Sequence, residues 1–176
     1  MTAQTELELS RPVETEGLRD IEHAVRFDVS DHERLALAQR FGIDALEGLG
    51  AAVALSREKG GRVNVSGSVE ARLRQICAVS SDPFSHELSF RFERQFAASI
   101  ESLASGDLEF DPVADDPPDD IVDGVIDIGE VVAEELALRI DPFARRPGAV
   151  FELPENGEDT LDGPFAALKR LKSEAK

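Results

Sequence analysis

Residues 62–96 contain two runs of alternating apolar residues whose parity switches at a central turn. In the first run the apolar residues lie at odd positions, and after Ser80–Pro83 they lie at even positions. Side chains of a strand point alternately to its two faces, whereas a helix requires apolar spacing of about 3.6 residues. The stretch therefore predicts a long antiparallel hairpin with one apolar face. Its predicted core positions are Val63, Val65, Val69, Ala71, Leu73, Cys77 and Val79, then Phe84, Leu88, Phe90, Phe92 and Phe96.

Shorter alternating segments before this hairpin predict further strands. Glu6–Val13 is typical of a short edge strand, where Pro12 is tolerated because it donates no ladder hydrogen bond. Alternation also predicts strands at Ala24–Val29 and Leu49–Arg57, with a turn or short helical segment at Ile43–Gly48. Adjacent glycines just before the hairpin predict a turn that leads into it. Three consecutive antiparallel strands would then form a meander.

A first helix is predicted by paired capping residues. Ser30 and Glu33 have the S-x-x-E spacing of a capping box, in which each side chain bonds the other residue's backbone N–H. Leu37 and Phe41 follow as an i,i+4 apolar pair, and Gly42 can end the helix. The predicted helix spans Asp31–Phe41.

A second helix is predicted to begin after Asp127. An apolar stripe at helical spacing runs from Ile128 to Ile140, and Pro142 ends it. A short amphipathic helix is predicted within residues 164–172, where it packs on the domain or docks onto a partner.

These elements predict an α+β fold: an antiparallel β-meander with a long central hairpin, two packed helices and a short C-terminal amphipathic helix. We expect a single domain over residues 1–155 with an acidic loop at 105–123. Residues 156–176 would form a flexible linker and the C-terminal helix.

The charge restricts the classes of partner. The chain has a net charge of −17 and one cysteine, which excludes an intramolecular disulfide and a zinc site built on several thiolates. An acidic surface repels phosphate backbones and favours basic proteins. The N-terminus lacks a signal-peptide pattern, and no apolar run approaches membrane length. We expect a cytoplasmic protein that contacts no membrane.

One acidic segment is the main candidate for partner binding. From Gln95 to Leu138 there is no Lys or Arg, and Asp107–Asp123 is rich in Asp and Pro. It fits a solvated loop, a docking strip for a basic partner, or a divalent-cation site, although the EF-hand pattern is not present. The candidate residues are Asp107, Asp111, Asp115, Asp116, Asp119 and Asp120.

A small set of cations offers an alternative contact with RNA or another anion. Arg145 and Arg146 form the only basic doublet between Gln95 and the C-terminal tail. Together with the tail cations they could favour phosphate, provided that all of them cluster in space. The tail cations are Lys169, Arg170 and Lys172.

No catalytic constellation is evident, and no cofactor or metal is expected. Cys77 lies on the apolar parity of its strand, which indicates a buried, inert thiol rather than a nucleophile. His86 shares the apolar parity of its own strand, which favours a structural role. A remote alternative is a metal-dependent hydrolase that uses four acids on a predicted mobile loop, a poor platform for catalysis. Those acids are Asp115, Asp116, Asp119 and Asp120.

Several motifs in this order resemble the YceD-like family over roughly residues 7–173. They are QICAVSSDPFSHEL at the hairpin turn, an F-x-F strand, an acidic Asp/Pro loop, the segment from Asp123 to Arg145, and PFAALKRLK. The family positions matched are Cys77, Pro83, Asp127, Glu135, Pro142 and Arg145. Many relatives carry C-x-R-C at the turn, whereas this chain has Cys77-Ala78-Val79-Ser80, so a metal site built on those thiols cannot form here in the same way.

The resemblance implies a role in accumulation of the large-subunit ribosomal RNA. Combined with the charge, it leads us to expect a non-enzymatic ribosome biogenesis factor that supports the synthesis, processing or stability of 23S rRNA. The expected partner is a basic ribosomal or assembly protein held by the acidic segment. Direct rRNA contact through the arginine doublet and the tail is the alternative.

Overall fold

The computed structural model describes residues 7–18, 22–58, 61–98 and 117–151. The helices are α1 (Asp31–Phe41) and α2 (Ile128–Ala137). The strands are β1 (Pro12–Glu14), β2 (His23–Asp28), β3 (Ala45–Arg57), β4 (Val63–Ile76), β5 (Pro83–Ala97), β6 (Asp119–Asp120) and β7 (Val125–Asp127). Within these ranges no helix is long and apolar enough to cross a membrane.

The strands form one large and one small sheet. Five strands pair in the order β2-β3-β4-β5-β6, antiparallel except for the parallel pair β5–β6, and β1 pairs with β7. The predicted α+β class is confirmed, with a mostly antiparallel five-stranded sheet and two helices. The predicted C-terminal helix and the tail cations lie outside the described residues.

The parity switch in the sequence follows from how β4 and β5 pair. From Val63 opposite Phe96 to Ile76 opposite Pro83, each odd-numbered residue of β4 faces an even-numbered residue of β5. Side chains directly opposite share a face, so both apolar rows face the core. Val63, Val65, Val69 and Leu73 are completely buried.

α1 begins and ends as its capping residues predict. The Ser30 hydroxyl accepts from the Glu33 amide, and the Glu33 carboxylate accepts from the Ser30 amide at 2.8 Å. Gly42 adopts φ +66°, a left-handed conformation that costs glycine little, and its N–H satisfies helix carbonyls. A hydrogen bond from Arg11, followed by those from Ser30, lowers the pKa of Glu33 to about 2.

The prediction of a turn or helical segment at Ile43–Gly48 is wrong from Ala45 onward. β3 begins at Ala45, and its register with β4 shifts between Leu46 and Gly48. This bulge makes buried positions change from even (Leu46) to odd (Leu49). The change of parity hid the start of the strand from a period-two pattern.

The predicted strand at Glu6–Val13 is also corrected. The strand of the described residues is only Pro12–Glu14, and it pairs with β7 in a separate two-stranded sheet. Leu9 precedes it and is completely buried. One buried leucine within a short polar segment produces no periodic pattern, so the sequence misplaced this element.

α2 lies against the apolar face of the hairpin. Arg94 bonds Glu134, and Arg139 lies 4.2 Å from the ring centroid of Phe90. Arg139, which follows α2, thus contacts the earlier residue of β5, so the helix runs antiparallel to that strand. α2 ends at Ala137, three residues before the predicted end, although backbone hydrogen bonds extend the turn to Ile140. Ile128, Val132 and Leu136 are fully buried.

Part of the predicted acidic loop is a strand. Asp119 and Asp120 form β6 and pair in parallel with Phe96 and Ala97. Two consecutive aspartates have low strand propensity, so this strand depends on tertiary contacts. The candidate residues Asp107, Asp111, Asp115 and Asp116 lie outside the described residues.

Candidate functional site

An acidic cleft lies where the end of β5 meets β6, β7 and the start of α2. Its volume is about 500 Å³. Five carboxylates and a single arginine contribute to its lining, so we call it the acidic cleft. Its lining residues are Arg94, Phe96, Asp119, Asp120, Val122, Val125, Ile126, Asp127, Glu130, Val131 and Glu134.

Asp127 lines the cleft at the start of α2. One of its oxygens accepts hydrogen bonds from the amides of Arg11 at 2.7 Å, Gly129 at 2.9 Å and Glu130 at 3.3 Å. The other accepts from the Ser10 hydroxyl at 2.6 Å. Asp127 therefore caps the helix and fixes the N-terminal segment against it.

Arg94 bridges the two sides of the cleft. Its guanidinium lies 2.7 Å from Asp119 on β6 and 2.5 Å from Glu134 on α2. Burial alone would lower the pKa of Arg94, but its hydrogen bonds to Glu134 and Asp119 outweigh that effect and raise it. Arg94 thus anchors the short acidic strand to the helix.

Glu130 is engaged from outside the cleft. Arg40 of α1 makes a two-pronged ion pair with it, at 2.8 and 2.5 Å, and also lies 3.1 Å from Glu8. The hydrogen bonds from Arg40 show that the cleft carboxylates can accept a guanidinium. The hydrogen bond to Glu130 raises the pKa of Arg40.

Asp120 is exposed and forms no ion pair with any described residue. Because the carboxylates outnumber the cations around the cleft, its electrostatic potential favours a positively charged ligand. Among the described residues, no group of three or more His, Cys, Asp or Glu side chains could hold a metal ion. The arrangement is suited to basic side chains.

A second feature is the hairpin tip, which we define as the turn Cys77–Asp82 with the packed segment Asp141–Arg146. The Ala78 amide donates to the Ala144 carbonyl at 2.9 Å, and the Arg146 amide donates to the Cys77 sulfur at 3.4 Å. The Arg146 guanidinium lies 3.7 Å from Asp82. The fold thus brings together two regions that are distant in the sequence.

The buried side chain of Gln75 links the segment Asp141–Arg146 to the hairpin strands. The Gln75 side chain donates to the Asp141 carbonyl at 2.9 Å, and its oxygen lies 2.7 Å from His86 Nε2. That nitrogen must donate, because the glutamine oxygen can only accept. His86 also stacks on Phe84, with ring centroids 5.5 Å apart.

Cys77 is buried, as its parity predicts, with 1% of its surface exposed. Hydrogen bonds from the Ser80 side chain, then from the Arg146 and Ser80 amides, outweigh burial and lower the pKa of Cys77 to about 6. Ser80 stands at the position of the second cysteine of the C-x-R-C pattern. The sequence did not predict this stabilisation of the thiolate.

We expect the stabilising effect of Cys77 to depend on pH. Its pKa in the folded chain, about 6, is below the ordinary value of 9.0, so unfolding between these values takes up a proton. The contribution is complete above pH 9 and is lost as the pH falls through 6. The difference in unfolding free energy between the wild type and Cys77→Ala should therefore grow from pH 6 to 9, as measured by chemical denaturation. Parallel pH profiles would contradict this assignment.

The comparisons with known proteins place the chain in a family. The model of the family "Large ribosomal RNA subunit accumulation protein YceD" matches residues 65–172. The chain belongs to the YceD family. No curated protein and no solved structure matched the chain.

The matched region contains most of β4, all of β5 and α2, and the hairpin tip. Of the family positions, Cys77 and Arg145 lie at the tip, Pro83 begins β5, and Asp127 caps α2. Glu135 is buried on α2 and bonds Arg139 at 2.5 Å. The match therefore includes both the acidic cleft and the hairpin tip.

The described members of the two sets of predicted contact residues lie in different places. Asp119 and Asp120 contribute to the acidic cleft, whereas Arg145 and Arg146 lie at the hairpin tip. Arg94, Glu130 and Glu134 were not predicted as site residues. Arg94 is the last cation before the long segment without Lys or Arg, and this position could have marked it as the counterion of that segment.

Proposed function

We propose that this protein is a non-enzymatic factor that supports accumulation of the large-subunit ribosomal RNA. The observation that carries the proposal is the YceD family match over residues 65–172, because the family's name describes that process. The matched region includes all the residues that line the acidic cleft. A contact made there would serve the assembly process rather than a chemical reaction.

The proposed partner is a basic ribosomal or assembly protein, held at the acidic cleft and the adjoining acidic segment. Its Lys and Arg side chains would meet an excess of carboxylates, as Arg94 and Arg40 already do within the chain. Complementary charge increases the association rate and the specificity of such contacts. The net charge of −17 favours the same class of partner.

A binding role also agrees with how the cleft carboxylates are used. Asp127 caps a helix, and Asp119, Glu130 and Glu134 pair with arginines. Hydrolytic chemistry needs carboxylates that are positioned toward a substrate or a metal. These carboxylates instead stabilise the fold and contribute negative potential to the cleft. Such roles favour a binding protein over an enzyme.

Neutralising the acidic segment should weaken partner binding at least tenfold and flatten its dependence on salt. The variant carries Asp→Asn at positions 107, 111, 115, 116, 119 and 120. Affinity purification with mild crosslinking would first identify the bound proteins and RNA, and titration of the recovered basic protein in increasing NaCl would follow. Circular dichroism would check that the variant is folded.

The matched control has the same net charge but keeps the acidic segment. It carries Glu→Gln at six exposed positions: 14, 16, 22, 58, 70 and 87. Binding by this control should remain close to that of the wild type. Equal losses in the two variants would show that only total charge matters, and recovery of rRNA without any basic protein would exclude the proposed partner.

A further inference from the structure

Most of the exposed apolar side chains lie next to the turn or after α2 in the sequence. Eight large hydrophobic side chains of the described residues are exposed, and five of them belong to residues 76 and 138–151. Phe143, within the tip, is 71% exposed. The five are Ile76, Leu138, Phe143, Val150 and Phe151. A phenylalanine ring that is this exposed, at the tip of a rigid hairpin, is available to contact a ligand.

Phe143 is followed in the sequence by the buried Ala144 and then by two arginines. Arg145 is exposed, and no ion pair joins it to any other described residue. Arg146 is half exposed, and its one ion pair, with Asp82, is long at 3.7 Å. A pair that is so exposed contributes little energy, so both guanidinium groups can contact an external anion.

The segment that carries these side chains is firmly attached. Its backbone bonds Ala78 and Cys77 of the turn and the buried side chain of Gln75. The Asp141 carboxylate accepts a hydrogen bond from the Phe143 amide at 2.8 Å, so this nearby acid is bonded to the backbone of the same segment. Phe143 and the arginines are therefore presented on a fixed platform, which lowers the entropy cost of binding.

The acidic cleft lies too far away to repel an anion at the tip. β5 runs from Arg94 at the cleft to Pro83 at the turn, which corresponds to about 36 Å of extended strand. The Debye length in physiological salt is about 8 Å. The acidic cleft therefore contributes little to the electrostatic potential at the hairpin tip.

We propose that the hairpin tip binds single-stranded RNA, with an unpaired base stacked on Phe143 and phosphates contacted by Arg145 and Arg146. Unpaired bases stack on exposed aromatic side chains, and guanidinium groups bond phosphate oxygens in pairs. The inference rests on the proposed function, which makes ribosomal RNA the available source of such strands.

The lack of Trp and Tyr allows a direct test of stacking. Phe143→Trp introduces the single strong fluorophore of the chain. An unstructured 12-nucleotide RNA should quench its fluorescence in a saturable manner, whereas a blunt RNA duplex should quench it far less. A Leu35→Trp variant, at an exposed position of α1, is the matched control and should show no saturable quenching.

Substitutions should then separate stacking from charge, measured by RNA titration of the full-length protein. Phe143→Ala should weaken binding roughly 5- to 150-fold. The double variant Arg145→Gln/Arg146→Gln should reduce the slope of log K against log salt by about 1.4. The control double variant Arg26→Gln/Arg91→Gln, which removes two exposed arginines outside the tip, should leave the slope unchanged.

The outcomes distinguish this proposal from the proposed function. Loss of RNA binding together with intact capture of a basic protein by the Phe143→Ala variant would support a separate RNA contact. No saturable quenching by single-stranded RNA, or equal effects of the two arginine double variants, would overturn the RNA proposal and leave the proposed function standing. Capture of a protein by the tip in place of RNA would also overturn it. The proposed function fails separately, if a strain that lacks the protein accumulates normal large-subunit rRNA.

Discussion

Gly129→Ala should lower the free energy of unfolding by about 3 kcal/mol, because overpacking against an immobile backbone cannot be relieved locally. A Cβ atom at Gly129 would lie 2.7 Å from the Leu9 carbonyl oxygen and 3.0 Å from the Arg11 nitrogen. Both atoms belong to the segment that Asp127 fixes against α2. The methyl group would separate that segment from the helix.

Chemical denaturation followed by circular dichroism would measure the effect, since no Trp or Tyr is present for fluorescence. Gly17→Ala is the matched control, because a Cβ atom there has no neighbour within 4 Å. Its stability should change by less than about 1 kcal/mol. Similar losses in both variants would show that the close approach of the N-terminal segment does not explain the need for glycine.

Arg94→Met should lower the free energy of unfolding by about 1–3 kcal/mol. This loss is smaller than for a fully buried ion pair, because the site is partly solvated. The Arg94 side chain is 22% exposed and contacts Asp119 and Glu134. Methionine keeps much of the apolar stem but leaves both carboxylates without their counterion. We expect β6 to separate from α2 and the acidic cleft to lose its shape.

Added salt distinguishes a charge effect from a packing effect. Screening of the two remaining carboxylates should recover part of the lost stability of Arg94→Met in high NaCl, as measured by denaturation at several salt concentrations. Arg94→Lys should recover less than half of the loss, because one ammonium group cannot reproduce the forked contact. Arg26→Met, at an exposed position of β2, is the control and should change stability by at most about 0.5 kcal/mol. A loss in Arg94→Met that does not depend on salt would contradict this account.

Local signals predicted part of the fold with accurate boundaries. α1 spans the predicted Asp31–Phe41, because capping side chains at both ends act within a few residues of the backbone that they bond. The two alternating runs predicted β4 and β5, because alternation is a property of each strand alone. The predicted face is buried along most of β4, whereas on β5 only Phe92 and Phe96 are buried and the other predicted residues are half-buried. Where an extra residue interrupted the alternation, at the bulge of β3, the prediction failed.

The candidate site was less predictable. The acids of the cleft and the arginines of the tip were visible as charges in the sequence. Of the residues that they contact, only Arg94 had a signal, as the last cation before the long segment without Lys or Arg. Arg94 joins Asp119 and Glu134 across 25 and 40 residues, and Arg146 meets Cys77 across 69. Contacts over such separations depend on strand register and on the direction of α2. No pattern among neighbouring residues predicts the strand register or the direction of the helix.

The amino-acid sequence was sufficient to predict the α+β class, the first helix and the apolar faces of the hairpin, because these follow from residue spacing and capping over short distances. Its motifs also determined the resemblance to the YceD family, and the family match confirmed it. The three-dimensional fold was needed to show that Asp119 and Asp120 form a strand, that one arginine bridges the acidic cleft, and that Phe143 and its arginines lie at the opposite end of β5. Such features depend on the energy of contacts between segments that are far apart in the sequence. The residues next to each partner along the chain do not specify these contacts.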